Sequence, residues 1–334
     1  MINYLKNKTQ IIAEAGINHN GSLKNAFKLI RIAKEAEVNY IKFQLFSTKD
    51  FINKDFQHKK INYKKVYKRF LSLEFNLNQW KKIKNFAKKL NIKIFFSVFD
   101  IPSEKMNRAL KIKIIKIPSG EINNLPLLKQ INRNKYKKVI LSTGMSTIEE
   151  IKLAIKTLKN CNVELLHCVS EYPLKAPNLK SINYLKKIFK IKVGYSDHTP
   201  DTITPALSVV AGAHIIEKHF TYSKKQKIGD HKFSLSPDEL KQMVRYVRIA
   251  DNSKGIEQKK ITKKERLLRY FARKGLHLNN NKKKNQLVNP SDFSILRPEG
   301  EIKVGDINKI LNKKTNRNIK KNQNLKKTFF KNFR

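Results

Sequence analysis

The sequence contains very little cysteine and no long hydrophobic segment. Two cysteines among 334 residues exclude a disulfide framework and are typical of a protein from the reducing cytoplasm. The longest apolar run, residues 206–216, includes Ser, Gly and His and is much shorter than the ~20 residues needed to span a bilayer. The N-terminal segment MINYLKNKTQ lacks the apolar core of a signal peptide. We therefore expect a cytoplasmic protein with no membrane partner.

Acidic residues are also scarce. There are 26 Asp and Glu residues against 72 Lys and Arg residues, which gives a formal net charge of +46. Such an excess ordinarily favours nucleic acid or an anionic membrane as a partner. The lysines are, however, spread through every segment without a nucleic-acid-binding motif, as a coding bias towards A/T-rich codons would produce. We predict no nucleic-acid partner, although a basic surface would attract an anionic substrate.

Eight apolar segments alternate with segments of helical periodicity. Continuous apolar runs indicate strands buried on both faces, and the intervening helices indicate parallel pairing. The pattern predicts an α/β protein with a closed (β/α)8 barrel over residues 1–251, with an open doubly wound sheet as the alternative. Polar residues follow every predicted strand, which favours the barrel, since they would form a ring at one mouth. The predicted strands are residues 10–15, 40–46, 93–99, 113–118, 138–143, 163–169, 192–196 and 214–220.

The remainder of the chain differs from the barrel in composition. Residues 252–266 are polar and charged, which predicts a linker. Residues 267–325 are turn-rich and mixed, and residues 326–334 are basic. We therefore expect a small second domain over 267–325 that ends in a frayed basic tail.

Two histidines follow the seventh and eighth predicted strands, His198 in YSDHT and His219 in IEKHF. Neutral imidazole is a good ligand for a divalent metal, and adjacent barrel strands would bring both residues to one ion. Two protein ligands would leave positions open, so that the metal could act as a Lewis acid on a substrate oxygen. The alternative is that each histidine is a hydrogen-bonded core residue.

Lysine and serine residues occur at the same strand ends. Lys42 and Lys116 lie inside apolar segments, where an unpaired ammonium group is costly, so each requires an anionic partner. That partner is either a substrate phosphate or a structural salt bridge to Glu14 or Glu121, the two candidate acid/base groups. The residues thus predict a barrel enzyme that uses a metal on an anionic, phosphorylated small molecule. The hydroxyl groups suited to phosphate are those of Ser97, Ser119, Ser142 and Ser196.

Eight motifs occur in order along nearly the whole chain: AEAGINHNG, IKFQLF, IKIPSGEINN, VILSTGMST, LLHCVSEYP, VGYSDHT, IIEKHFT and GDHKFSLSPDEL. Together they resemble the N-acetylneuraminate (sialic acid) synthase family. The resemblance implies a TIM barrel followed by an antifreeze-like (SAF) domain. It also implies condensation of phosphoenolpyruvate with the open-chain aldehyde of an N-acetylated hexose, which gives a nine-carbon 2-keto acid and phosphate. A divalent metal would be required, most often Mn²⁺, with Mg²⁺ or Co²⁺ as alternatives.

The resemblance further implies roles for individual residues. His198 and His219 would be the metal ligands, and Arg297 would reach the sugar's acetamido group from the partner in a domain-exchanged homodimer. Glu14 would be a catalytic carboxylate that contacts the sugar together with Asp230, and Glu121 would handle water and protons at C2. The residues that would hold phosphoenolpyruvate are Lys42, Ser97, Lys116, Ser119, Ser142, Asn178 and Ser196.

Three segments depart from the family pattern. FSVF stands where Ser-Thr-Pro-Phe is usual, KKQKIGDH where Pro-Gly-Pro-Asp-His is common, and RPEGEI where Arg-Pro-Gly-x-Gly-Ile is usual. GINH in place of Ser-Ala-Asn-His favours the neuraminate or legionaminate branch over the pseudaminate branch. Two rival functions stay open. One is a 3-deoxy-2-keto acid phosphate synthase acting on a phosphorylated aldose, and the other is a basic nucleic-acid-binding protein on an inactive barrel.

Overall fold

The computed structural model describes residues 8–226, 229–256 and 258–332. Its first unit contains eight parallel strands that close into a barrel in sequence order. This confirms the predicted (β/α)8 barrel and excludes the open sheet, and each strand lies within one residue of its predicted bounds at either end. The strands are β1 (Gln10–Gly16), β2 (Tyr40–Leu45), β3 (Lys93–Val98), β4 (Ile114–Ile117), β5 (Lys138–Ser142), β6 (Val163–Cys168), β7 (Val193–Asp197) and β8 (Ile215–His219).

The helices follow the strands and begin at recognisable capping residues. In the helix Ile148–Thr157, for example, Thr147 and Glu150 form a capping box, which satisfies backbone N–H groups at the helix start. Two helices that the sequence analysis did not predict lie within residues 46–76, between β2 and the next helix. The helices are α1 (Leu23–Glu35), α2 (Thr48–Phe51), α3 (Tyr63–Leu71), α4 (Leu77–Lys89), α5 (Ile101–Ala109), α6 (Leu125–Arg133), α7 (Ile148–Thr157), α8 (Lys180–Phe189), α9 (Thr204–Val210), α10 (Pro237–Ser253) and α11 (Lys263–Ala272).

No helix within the described part of the chain combines the length and apolar character that crossing a membrane requires.

The barrel interior changes from apolar to polar along the strands. Strand side chains alternate between two faces, so residues two positions apart point to the same side. One interior layer is apolar and consists of Ile12, Tyr40, Phe95, Ile140, Leu166 and Ile215. Two residues further along the same strands come Glu14, Lys42, Ser97, Ser142, Cys168 and Glu217. A polar layer therefore lies directly above an apolar floor, at the carboxyl ends of the strands.

Residues Ile256–Arg334 form a second compact unit, separate from Met1–Gly255. It contains an antiparallel pair of strands, β9 (Gly275–Leu278) and β10 (Phe293–Leu296), and its own apolar core. An antifreeze-like fold for this unit stays a prediction.

The second unit differs from the sequence prediction at both of its ends. Within the predicted linker 252–266, α11 already begins at Lys263, because Thr262 and Glu265 form a capping box. Within the predicted tail 326–334, Phe329 and Phe330 are buried in the core of the unit. Two adjacent aromatic side chains are more stable there than exposed to water, so residues 326–332 are not a frayed end. The last two residues of the predicted tail lie outside the described residues.

Candidate active site

The carboxyl ends of the barrel strands surround a cavity of about 560 Å³. Polar and charged side chains from several different strands line it, as is typical of active sites in this fold. The residues predicted from sequence that line the cavity are Glu14, Lys42, Ser97, Lys116, Ser119, Ser142, Ser196, His198, His219 and Asp230.

Strand register brings these side chains to one level. Glu14 on β1 pairs with Lys42 on β2 and with His219 on β8. Ser97 pairs with Lys116, and Ser196 pairs with Glu217. Because paired residues lie side by side across neighbouring strands, the polar layer forms a nearly continuous ring around the cavity floor.

The two predicted lysines lie in one buried cluster with two carboxylates. Lys42 Nζ lies 2.6 Å from Glu14 Oε2 and donates a hydrogen bond to Ser97 Oγ at 2.6 Å. Lys116 Nζ donates to Glu217 Oε1 at 2.7 Å, and Lys42 Nζ is 3.7 Å from Glu217 Oε2. Both lysines thus have structural salt bridges, and the partner of Lys116 is Glu217 instead of Glu121.

The two carboxylates of this cluster differ in protonation behaviour. Burial alone would raise the pKa of Glu217, but Lys116 and Lys42 outweigh it and lower that pKa to about 2. Burial raises the pKa of Glu14, although Lys42 opposes this. Burial also lowers the pKa of Lys116, against the attraction of Glu217. Two nearby carboxyl groups with diverging pKa values are the usual basis for assigning an acid and a fixed anion, here Glu14 and Glu217.

His198 lines the same cavity, with its ring centroid 6.1 Å from that of His219. Its Nδ1 is 2.8 Å from the carbonyl oxygen of Val169, which can only accept, so Nδ1 carries the proton. Its Nε2 therefore accepts from the hydroxyl of Tyr172, at 2.7 Å. Burial, reinforced by the nearby His219, lowers the pKa of His198 to about 3, so the ring is neutral, as a metal ligand must be.

The histidine pair fits a divalent metal. Nδ1 of His219 is buried, and the described residues offer it no hydrogen bond; the nearest acidic atom is Asp230 Oδ2 at 3.9 Å. An unpaired buried nitrogen beside a neutral imidazole is the donor set that a borderline divalent ion prefers. No group of three or more acidic, histidine or cysteine side chains in the described ranges has metal-binding geometry. A metal held by this pair would keep open positions for water or substrate.

The opening motif AEAGINHNG joins the first strand to the loop that carries Asp230. Asn18 is fully buried; its Nδ2 donates to Phe220 O at 2.8 Å and to Ser234 Oγ at 3.0 Å. Its Oδ1 accepts from the backbone N–H of Asp230 at 2.8 Å. The asparagine thus joins Phe220, where this loop begins, to Asp230 and Ser234 near its end. Lys227 and Ile228, in the KKQKIGDH segment, lie outside the described residues.

Three predicted residues occupy other positions. Asn178 is exposed beyond β6, and of the described residues in that loop it is Ser170 and Tyr172 that line the cavity. Glu121 ends the 3-10 helix Ser119–Glu121 and accepts from Asn124 Nδ2 at 2.7 Å; it is not among the described lining residues. Burial raises the pKa of Glu121. Arg297 is exposed on the second unit.

Among the polar lining residues to which sequence reasoning assigned no role are Gln44, Ser170, Tyr172 and Glu217. For two of them the alternation of side chains along a strand could have indicated their position. Glu217 stands two positions before His219, and Gln44 two positions after Lys42, so each shares a strand face with a predicted site residue. Ser170 and Tyr172 lie in a loop, where no periodicity predicts orientation.

A closed parallel barrel with convergent charged groups at its carboxyl-end mouth defines an enzyme of the TIM-barrel class. Residues 29–259 match the NeuB family. The chain therefore belongs to the NeuB family, which confirms the resemblance to sialic acid synthases and the prediction of an enzyme.

Individual relatives agree with this assignment over nearly the whole chain. The chain is 38% identical over 329 residues to N,N'-diacetyllegionaminic acid synthase of Campylobacter jejuni, covering 95% of this chain and 98% of that protein. It is 34% identical to the synthase of the same name from Legionella pneumophila, covering 92% of this chain and 91% of that protein. The crystal structure of N-acetylneuraminic acid synthetase from Leptospira borgpetersenii has a TM-score of 0.72 at 33% identity, covering 78% of this chain and 90% of that chain.

Proposed function

We propose that this protein condenses phosphoenolpyruvate with the open-chain aldehyde of an N-acetylated hexose to form a nine-carbon 2-keto acid and phosphate. The observation that carries the proposal is that two buried lysines and two neighbouring histidines open onto one cavity. The lysines suit a phosphorylated anion, and the histidines suit the polarisation of a carbonyl oxygen through a metal. Membership of the NeuB family supports the same reaction.

Phosphoenolpyruvate would bind on the lysine side of the cavity. Lys42 and Lys116 would contact its anionic groups, with hydroxyl donors from the surrounding strand ends. These donors are Ser97, Ser119, Ser142 and Ser196, with Ser170 as a further proposed donor. The role of Asn178 in holding phosphoenolpyruvate stays a prediction. In the free protein the lysines are held in position by Glu14 and Glu217, so the binding groups are preorganised.

The acceptor aldehyde would bind on the histidine side. His198 and His219 would hold a divalent cation, which we propose to be Mn²⁺, with Mg²⁺ or Co²⁺ as alternatives. When bound, the ion would act as a Lewis acid towards the aldehyde oxygen. Asp230, which lines the cavity next to His219, would accept hydrogen bonds from hydroxyl groups of the sugar.

Glu14 would donate the proton that the aldehyde oxygen requires. C3 of phosphoenolpyruvate attacks the aldehyde carbon, and the aldehyde oxygen then needs a proton to become a hydroxyl group. Glu14 faces this reaction with a raised pKa, so its protonated form can supply that proton. Water would then add to the cationic C2 and pass one proton to the ionised Glu14, and phosphate would depart with the hydroxyl proton to leave the 2-keto group. Lys42 and Lys116 stabilise the charge on the departing phosphate.

We propose a 2,4-diacetamido-trideoxyhexose as the acceptor, with N-acetylmannosamine as the alternative. Support comes from the two relatives named N,N'-diacetyllegionaminic acid synthase.

We further propose a domain-exchanged homodimer in which Arg297 of each chain reaches the partner's cavity. The planar guanidinium suits an acetamido oxygen, because its N–H groups form a rigid fork. The free thiols of Cys161 and Cys168 suit a cytoplasmic enzyme.

The test is phosphate release from phosphoenolpyruvate by the purified protein with a panel of N-acetylated hexoses. We expect release with at least one unphosphorylated acceptor, loss on treatment with EDTA, and recovery with Mn²⁺. Release with a phosphorylated aldose alone would favour the rival 3-deoxy-2-keto acid phosphate synthase. Full activity in a metal-free preparation would overturn the role of the histidine pair.

A further inference from the structure

His231, which follows Asp230 in the chain, is fully buried and is not among the described residues that line the cavity. Its Nε2 is 3.1 Å from Oδ1 of Asn20, in the motif AEAGINHNG, and its Nδ1 is 2.5 Å from the hydroxyl oxygen of Thr221. Both ring nitrogens are therefore used within the protein. The proposed reaction uses none of these three side chains directly.

The hydrogen bonds fix the protonation state of His231. Oδ1 of Asn20 can only accept, so Nε2 donates to it, and Nδ1 accepts from the Thr221 hydroxyl. Nδ2 of Asn20 donates to the hydroxyl of Tyr222 at 3.3 Å, which agrees with this orientation of the amide. Burial lowers the pKa of His231, although Asp230 opposes this, so the ring is neutral at pH 7, as both hydrogen bonds require.

Asn20 belongs to a loop that is itself closely packed. The preceding residue, His19, is fully buried; its ring stacks on that of Phe75 with centroids 4.5 Å apart and meets the Trp80 ring edge-on at 5.9 Å. Nδ1 of His19 accepts from the backbone N–H of Gly21 at 3.1 Å. Asn20 has a φ of 51°, a left-handed conformation that asparagine adopts more readily than most residues. The loop after β1 is therefore a rigid support.

Two hydrogen bonds join this support to the segment that carries Asp230. The backbone N–H of Asp230 donates to Oδ1 of Asn18, and the side chain of His231 donates to Asn20. At Gly229 the two loops approach so closely that an added Cβ would lie 3.0 Å from Asn18 Oδ1 and 3.2 Å from Asn20 Oδ1. The carboxylate of Asp230 thus extends towards the cavity from a backbone that both hydrogen bonds restrain.

We infer that His231 is a positioning residue that holds the Asp230 carboxylate in place for the hydroxyl groups of the acceptor sugar. The inference rests on the proposed function and adds a residue to its acceptor site. A carboxylate on an unrestrained loop would have to become ordered when the sugar binds, and that ordering costs affinity. Phosphoenolpyruvate would contact Lys42 and Lys116, which lie on the strands. Loss of the hydrogen bonds of His231 should therefore weaken acceptor binding selectively.

The experiment measures the KM of each substrate in His231→Leu by phosphate release, with the N-acetylated hexose that the wild-type protein prefers. We expect the acceptor KM to rise about tenfold, as for the loss of two neutral hydrogen bonds, while the KM for phosphoenolpyruvate stays within about twofold. His231→Gln, whose side-chain amide can replace Nε2 as the donor to Asn20, should recover most of the acceptor affinity. Asn20→Gly removes the other partner without straining the left-handed backbone and should resemble His231→Leu.

A double-mutant cycle tests whether His231 acts through Asp230. Asp230→Ala should lower kcat/KM for the acceptor. Adding His231→Leu to Asp230→Ala should have little further effect, since no carboxylate remains to be positioned. Structural damage that is independent of Asp230 would instead multiply the two losses.

Asn25→Ala is the matched control, because Nδ2 of Asn25 joins the same two loops through the hydroxyl of Tyr222, at 3.2 Å, instead of through His231. This variant should keep the wild-type acceptor KM. If His231→Leu does not fold, Asn20→Gly supplies the same measurement. An unchanged acceptor KM, an equal rise in the KM of both substrates, or multiplied losses with Asp230→Ala would overturn the inference and leave the proposed function intact. Absence of phosphate release by the wild-type protein with every acceptor would overturn both.

Discussion

The hydroxyl of Tyr172 lies 2.7 Å from Nε2 of His198, and the two rings overlap with centroids 4.0 Å apart. Because the Val169 carbonyl fixes the proton on Nδ1, Nε2 carries the lone pair of the imidazole. The tyrosine therefore occupies the nitrogen through which His198 would bind a metal. Metal binding must replace this hydrogen bond.

Removal of that hydroxyl should strengthen metal binding. A neutral hydrogen bond contributes about 1 kcal/mol, so Tyr172→Phe should bind Mn²⁺ about fivefold more tightly than the wild-type protein. The measurement is the electron paramagnetic resonance signal of free Mn²⁺ during titration. Tyr184→Phe, which changes an exposed tyrosine on α8, serves as the control. Equal or weaker affinity in Tyr172→Phe would show that the hydroxyl does not compete for Nε2.

A buried ion pair supports the two histidines from outside the cavity. Lys218 Nζ lies 2.5 Å from Asp197 Oδ2, and Thr199 Oγ1 donates to the same oxygen at 2.9 Å. Asp197 precedes His198, and Lys218 precedes His219, so the pair joins the two strand ends. We therefore expect the pair to position His198 and His219 relative to each other.

Lys218→Met should leave Asp197 buried without its cation and lower the free energy of unfolding by about 3–5 kcal/mol. Mn²⁺ affinity should fall as well, because the spacing of the histidines is no longer fixed. Thermal unfolding and metal titration measure the two effects. Lys224→Met removes a half-exposed partner of Glu239, at 2.6 Å, and should change stability by less than about 1 kcal/mol. Similar effects in the two variants would argue against a positioning role.

Glu217 should make stability depend on acidic pH. Its pKa is lowered from 4.5 to about 2 in the folded protein, so its contribution to stability is complete above about pH 4.5 and is lost as pH falls towards 2. Glu217→Gln should be less stable at neutral pH and should show a flatter stability profile between pH 4.5 and 2. Urea unfolding across this range measures both. Glu149→Gln, at an exposed position on α7, should retain the wild-type profile.

The catalytic roles of Glu14 and Glu121 can be distinguished by the effect of each substitution on kcat. Glu14 lines the cavity, whereas the carboxylate of Glu121 is engaged by Asn124. Glu14→Gln should therefore reduce kcat by about 100-fold or more, which is the usual contribution of general acid catalysis. Glu121→Gln should reduce kcat less than tenfold, with similar KM for phosphoenolpyruvate. A larger loss in Glu121→Gln would support the prediction that Glu121 handles protons at C2.

The domain-exchanged dimer predicts complementation between inactive chains. Arg297→Ala and His219→Ala should each be inactive alone. Random mixing makes half of the dimers mixed, each with one intact site, so about a quarter of wild-type activity should return. Activity is measured after subunit exchange that has been verified with differently tagged chains. An inactive mixture with proven exchange would exclude a contribution of Arg297 to the partner's cavity.

The barrel could be predicted because its strands are continuous apolar runs, whose ends the sequence marks with polar residues. The lysines could be predicted as buried, and Glu14 as one of two candidate salt-bridge partners for them. The pairing of Lys116 with Glu217 could not, since β4 and β8 meet across the barrel interior and are distant in sequence. The insertion that carries Phe51 and Phe70 was missed because its short helices are rich in lysine and lack a long apolar stripe.

The buried cluster has equal numbers of ammonium and carboxyl groups, two of each, in a chain whose formal charge is +46. A pair of bare lysines in an enclosed cavity would retain inorganic phosphate after each reaction, and product departure would limit turnover. Here Glu14 and Glu217 already satisfy the lysines, and they regain these partners when phosphate leaves. We therefore expect Glu217, the fixed anion of the pair, to act as an internal competitor that returns the lysines to their starting state for the next catalytic cycle.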